Sequence, residues 1–284
     1  MRINSGCDEC IAKFLLKVAE DASDSAARKE ELHRELKALH QSYFGKKCPP
    51  QLAGAIGDLF QRERGELDPF AEVKDRSTEL GLELLPELRE IVSGTEDPFA
   101  AAVRLAIAGN IIDYGATPDF DLAQARDGIM EALRLPVDAN AITLLKSRMD
   151  QAEKILYVLD NCGEAVLDRL LMEPYREKLL IGVRGRCAQN DVTRREARLS
   201  GLDFAPIVDT GDNSPGVVQE RTSELFLRAM EEADLVIAKG QGNFESLEDN
   251  VTRPTFFLFR AKCPVIMRYI GAEKNSIQIR TRNV

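Results

Sequence analysis

Hydrophobic positions recur along this chain with two different periods, and the change from one to the other falls at residues 140–150. Over residues 8–42, Cys10, Ile11, Phe14, Leu15 and Val18 mark one face of a helix, followed by a charge-rich stretch from Arg28 to Lys37. Past Cys48-Pro49-Pro50 the helical spacing resumes with Leu52, Ile56, Leu59 and Phe60. Asp68-Pro69-Phe70 then reads as a helix entry with a capping side chain and a first-turn proline. Helices are expected to continue through 80–92 and, after Asp97-Pro98, through 99–112. From residue 150 short apolar runs at 155–159, 179–183, 206–208, 235–238 and 255–259 alternate with helical segments such as 164–171 and 220–232. Strands alternating with helices predict an α/β fold. A helical N-terminal domain, residues 1–148, precedes an α/β/α sandwich, residues 149–284, with a mainly parallel, doubly wound sheet.

Composition narrows the class of function. With 44% hydrophobic and 30% charged residues, the chain has the make-up of an ordinary globular protein. A formal charge of −9 gives no general attraction to nucleic acid or to an anionic membrane. No apolar run approaches the roughly 20 residues of a spanning helix, and Met1-Arg-Ile-Asn-Ser-Gly-Cys7 does not read as a signal peptide. A cytoplasmic location is the expectation. Six scattered cysteines argue against a disulfide framework. The two histidines, His33 and His40, read as solvated helix surface.

The strand ends carry the unusual chemistry. After the first run come Asp160 and Asn161; after the second, Arg184-Gly185-Arg186 and Asn190-Asp191; after the third, Asp209 to Gly216; after the fourth, Lys239-Gly240. Ligands collect beyond the carboxyl ends of strands in open parallel sheets. Asn or Asp before Gly is also ordinary turn chemistry at any single position, but four successive ends bring carboxylates, amides and cations together. Asp160, Asn161 and Asp191 supply the oxygen donors that a hard divalent cation takes, and Lys239 with its flanking glycines suits phosphoryl oxygens. In the helical half, Asn110 and Asp113 form a polar pair, three apart, on an otherwise apolar segment. No Walker loop is present, and Gly240-Gln-Gly242 is followed by Glu245 where a dinucleotide fingerprint needs its third glycine.

These motifs carry a family likeness. Asp160-Asn161-x-Gly-Glu164, Asn190-Asp191-Val-Thr, Gly211 through Pro215-Gly216, Lys239-Gly240-x-Gly-Asn243-x-Glu245, Gly109-Asn110-x-Ile-Asp113 and the early Cys7-x-x-Cys10 together resemble the DUF89 family, the damage-control phosphatases, in its CxxC-containing microbial branch. The resemblance extends from the first helix to Cys263-Pro264. It implies hydrolysis of phosphate monoesters of small metabolites, such as sugar phosphates, with a divalent metal ion (Mn²⁺, Ni²⁺, Co²⁺ or Mg²⁺). Asp160, Asn161 and Asp191 would hold the metal, and Lys239 would contact phosphate. Asn110, Asp113, Glu164 and Asn243 stand as further substrate-site candidates. The expected partner is a small phosphorylated metabolite, with neither nucleic acid nor membrane involved.

Two readings compete with the phosphatase. One is an S-adenosylmethionine-dependent carboxyl methyltransferase, for which the sequence lacks an early glycine-rich loop. The other is a non-enzymatic metal- or thiol-linked sensor built on Cys7, Cys10 and Cys263, since a CxxC at a helix start serves either redox or metal chemistry.

Overall fold

The computed structural model describes residues 1–65, 68–109 and 122–284. Asn110 and Asp113 lie outside the described residues. The single helix expected over 8–42 is two: α1 (Asp8–Ala22) and α2 (Ala26–Tyr43). The break is local chemistry, because Ser23 is extended and the Ser25 hydroxyl accepts from the Arg28 N–H, capping the second helix. With α3 (Pro49–Arg64), these helices enclose Leu15, Leu32, Leu36, Leu52 and Ile56. Four further helices follow, α4 (Ala71–Ser93), α5 (Pro98–Ala108), α6 (Leu122–Ala132) and α7 (Ala139–Gln151). Asp97 starts α5 by accepting from the Ala100 N–H, with Pro98 at the first position.

Alternation then sets in as β1 (Ile155–Val158), α8 (Cys162–Met172), β2 (Leu179–Val183), α9 (Arg194–Leu199) and β3 (Ile207–Asp209). It continues through α10 (Glu224–Glu232), β4 (Leu235–Lys239), α11 (Gly240–Leu247), β5 (Thr255–Arg260) and α12 (Pro264–Ile270) to β6 (Ile277–Arg282). The sheet runs in the order β3-β2-β1-β4-β5-β6. All neighbours are parallel except β6, which pairs antiparallel with β5, Phe257 opposite Arg280. That edge strand was not expected from the sequence. Ile277 and Ile279 alternate with polar residues over too short a run to stand out.

Successive strand residues face opposite layers. Ile155, Tyr157, Ile181 and Ile237 enter the core shared with α4, α5 and α8, whereas Leu156, Val158, Val236 and Ala238 pack against Phe226 of α10 and Phe244 of α11. Both faces are covered, which explains strands that read as unbroken apolar runs. The secondary structure changes between α7 and β1, but packing crosses that point. Leu84, Leu105 and Leu145 of the helical half lie in one core with Ile155 and Ile181. On the other side α3 rests on the loop after β3, where a Cβ on Gly54 would come within 2.3 Å of Ser214 Oγ. Close approach of these two pieces therefore requires glycine there.

Candidate active site

The chain leaves β1 to build β2 and β3 on one side, then returns past β1 to build β4 and β5 on the other. A crevice opens where the order reverses, at the carboxyl ends of β1 and β4. Asp160 and Asn161 follow β1 directly, and Asn161 takes the capping position of α8 without using its side chain on the backbone. The loop after β2 lies alongside. Val192 N–H donates to the Asp160 carbonyl at 2.8 Å, Cys162 N–H donates to the Asn190 carbonyl at 3.1 Å, and Asn161 forms an isolated bridge with Asp191. Two segments thirty residues apart thus present Asp160, Asn161 and Asp191 to one cavity of about 280 Å³. Pro49 and Pro50 of α3 form part of its wall, with Glu164, Arg260, Lys262 and the first turn of α11.

Asp160 also meets the start of α11. Gly240 has φ +79°, and a Cβ there would lie 1.9 Å from Asp160 Oδ2. The carboxylate occupies the space a side chain would take. Burial pushes the Asp160 carboxyl well above the usual carboxylate range, and the facing carboxylates of Asp191 and Glu164 push it further.

Two buried cations brace this acidic floor. Arg184, at the end of β2, donates from Nε to Asp191 Oδ2 at 2.7 Å and from Nη2 to Asn243 Oδ1 at 3.2 Å. Its Nη2 also stands 4.0 Å from Asp160 Oδ1. Asn243 in turn donates to the carbonyls of Lys239 and Leu159, at 2.6 and 3.2 Å, tying the ends of β4 and β1 together. Fully buried and so engaged, Asn243 ties the crevice together and is not among the residues that line the cavity.

Lys239 is likewise not among the residues that line the cavity. Its ammonium is wholly buried and donates to the Ala106 carbonyl at 2.7 Å, to Asp168 Oδ1 at 2.7 Å and to Glu164 Oε1. All three ammonium donors are used, and none faces the cavity as a phosphate contact would. Glu164 and Asp168 stand one turn apart on α8, so one lysine reaches both. Burial raises the Asp168 carboxyl to about 7 against the pull of Lys239. Glu164 differs from its partners in lining the cavity, and its Oε2 has no hydrogen-bond partner among the described residues.

In the sequence Asp168 carries no assigned role, and Arg184 and Glu245 are named only as a strand-end residue and a motif member. Asp168 was legible as the i+4 neighbour of Glu164, and Arg184 as the first residue past a buried strand. Glu245 gave no signal of its own beyond its place in the Lys239-Gly240 motif.

The donors fit a hard divalent cation. Asp160 and Asp191 contribute carboxylates and Asn161 an amide oxygen, while Glu164 lines the same cavity with an Oε2 that has no hydrogen-bond partner among the described residues. Among the described residues no group of three or more His, Cys, Asp or Glu side chains is arranged to hold a metal ion, so the set consists of two carboxylates and an amide. Such an open set leaves positions for water and phosphoryl oxygens.

Comparison with known proteins identifies the family. The family profile of the damage-control phosphatase ARMT1-like domain matches residues 3–277. The chain belongs to this family. A damage-control phosphatase of Archaeoglobus fulgidus is 32% identical over 95% of this chain and 96% of its own length. Another, from Pyrococcus horikoshii, is 31% identical, with coverage of 98% and 97%. The crystal structure of a DUF89 family protein from Pyrococcus horikoshii superposes with a TM-score of 0.84 at 29% identity, covering 98% of each chain. No helix among the described residues is long and apolar enough to cross a membrane.

Proposed function

We propose that this member of the damage-control phosphatase family is a metal-dependent hydrolase of phosphate monoesters of small metabolites, with Asp160, Asn161 and Asp191 as the metal-binding set. The observation that carries the reading is the convergence of these three oxygen donors at the switch point of the sheet, against a cavity of small-metabolite size. A bound divalent cation would polarise the phosphoryl group and neutralise charge that develops on its oxygens. The chain's own residues do the rest. Arg184 fixes the orientation of Asp191 through the Nε hydrogen bond at 2.7 Å. The open first turn of α11, at Gly240, Gln241 and Gly242, offers backbone N–H groups to phosphoryl oxygens. Arg260 and Lys262 at the cavity wall supply positive charge for a phosphate dianion. Lys239 acts from below, holding Glu164 in place.

Neither cysteine of the CxxC is among the described residues that line the cavity. Cys7 is buried at the start of α1 and Cys10 is exposed one turn on. No observation favours a thiol sensor or a methyltransferase over the phosphatase.

The test is a panel of phosphate monoesters assayed after chelation and after return of Mn²⁺, Ni²⁺, Co²⁺ or Mg²⁺. Turnover should vanish on chelation and return with a cation. Asp160→Asn should weaken Mn²⁺ binding in calorimetry by at least about tenfold. Metal-independent turnover, or none with any cation, overturns the assignment.

A further inference from the structure

Hydrolysis of an alkyl phosphate expels an alkoxide, a poor leaving group unless a proton arrives as the P–O bond breaks. Four carboxyl side chains among the described residues line the cavity: Asp160, Glu164, Asp191 and Glu245. Asp160 and Asp191 are committed as anionic donors in the proposed metal set, and Glu164 accepts from the Lys239 ammonium. Neither His33 nor His40 reaches the cavity, since both lie on α2.

Glu245 is differently placed. It lies on α11, more than one turn beyond Gly240, and lines the cavity together with Pro49 and Pro50. Among the described residues no side chain hydrogen-bonds to its carboxyl. Across the cavity it shares the lining with Asp160, Glu164, Asp191, Arg260 and Lys262, and other groups approach it from the packed elements. The Met1 ammonium donates to the Glu245 backbone carbonyl at 2.6 Å and pairs with Asp249 at 3.2 Å, and the thiols of Cys7 and Cys48 come from the starts of α1 and α3. We propose that Glu245 is the general acid of the reaction, delivering its proton to the leaving oxygen of the phosphate ester. Burial lifts the Glu245 carboxyl to about 7, opposed only by the Met1 ammonium, so a proton is available near neutrality.

The step balances without a further reagent. The electron pair of the breaking P–O bond goes to the leaving oxygen, which takes the Glu245 proton and departs as the alcohol. Water supplies the oxygen of the new P–O bond, and one of its protons restores the Glu245 carboxyl. The inference rests on the phosphatase reading above.

The experiment compares an alkyl ester, glycerol phosphate, with an aryl ester whose leaving group needs no proton, 4-nitrophenyl phosphate. Both are assayed with the metal-loaded protein and with Glu245→Gln. A general acid contributes about 10²–10⁴-fold, so the alkyl-to-aryl ratio of kcat should fall by about 10²-fold or more in the variant. A purely structural role lowers both rates together, and an unchanged ratio overturns the proposal. Should the variant fail to fold, the wild-type pH profiles decide. An alkaline loss of kcat with the alkyl ester alone supports Glu245, and identical profiles for the two esters refute it. Turnover of neither ester by the wild type counts against the phosphatase reading itself.

Discussion

Lys239→Met tests the site from its foundation. The lysine and its two carboxylate partners are 0%, 3% and 1% exposed at their side chains, and Lys239 Nζ stands 2.7 Å from Asp168 Oδ1. Methionine keeps an unbranched apolar stem, one atom shorter, but leaves the two buried acids with no cation between them. Removing one partner of a buried ion pair costs about 3–5 kcal/mol, because the remaining charge is uncompensated. At roughly 2–4 °C per kcal/mol for a chain of this order of size, the melting temperature should drop by about 6–20 °C. The chain has no tryptophan, so unfolding is best followed in urea at pH 7 by far-ultraviolet circular dichroism. Adding Glu164→Gln and Asp168→Asn to the methionine variant removes the orphaned charges and should restore about half the loss or more. A loss below about 1 kcal/mol, together with a raised KM for phosphate esters, would show that the ammonium reaches substrate and would refute the buried-triad reasoning.

Two further perturbations follow from the same geometry. Gly240→Ala forces a methyl group to within 1.9 Å of Asp160 Oδ2 at a positive φ, so Asp160 must move. Stability should fall by about 1–2 kcal/mol and Mn²⁺ affinity by about tenfold or more, read by calorimetry; unchanged affinity would separate Asp160 from the metal. Asp168 has a folded-state pKa raised to about 7, above the ordinary value of about 3.9 in the unfolded chain. The folded state therefore binds the extra proton, and the stability this provides, complete below pH ~4, is lost as pH rises through ~7. Asp168→Asn should flatten that decline in urea midpoints across this window, and an unaltered slope would exclude Asp168 as its source.

The sequence by itself determined the layered α/β architecture, because buried parallel strands are apolar on both faces and announce themselves as short runs between helices. It also marked the strand-end segments whose residues Asp160, Asn161 and Asp191 line one cavity, since a strand end is a place in the fold as well as in the chain. The break between α1 and α2 was present in Ser23-Asp24-Ser25 but lost within a longer helical period. Three things were decided only in three dimensions. Lys239 shares the parity of Ile237 on β4, so it points into the layer of α8, where Glu164 and Asp168 wait; the two-residue period fixes that the two residues share a face, not which helix covers it. Asn243 was equally invisible as a brace, since its partners Arg184, Leu159 and the Lys239 carbonyl come from three different strand ends. The cavity wall at Pro49 and Pro50 lies more than one hundred residues from Asp160 in the chain. Local patterning encodes which residues are polar at the end of an apolar run, but the direction of a side chain depends on the layer packed against it.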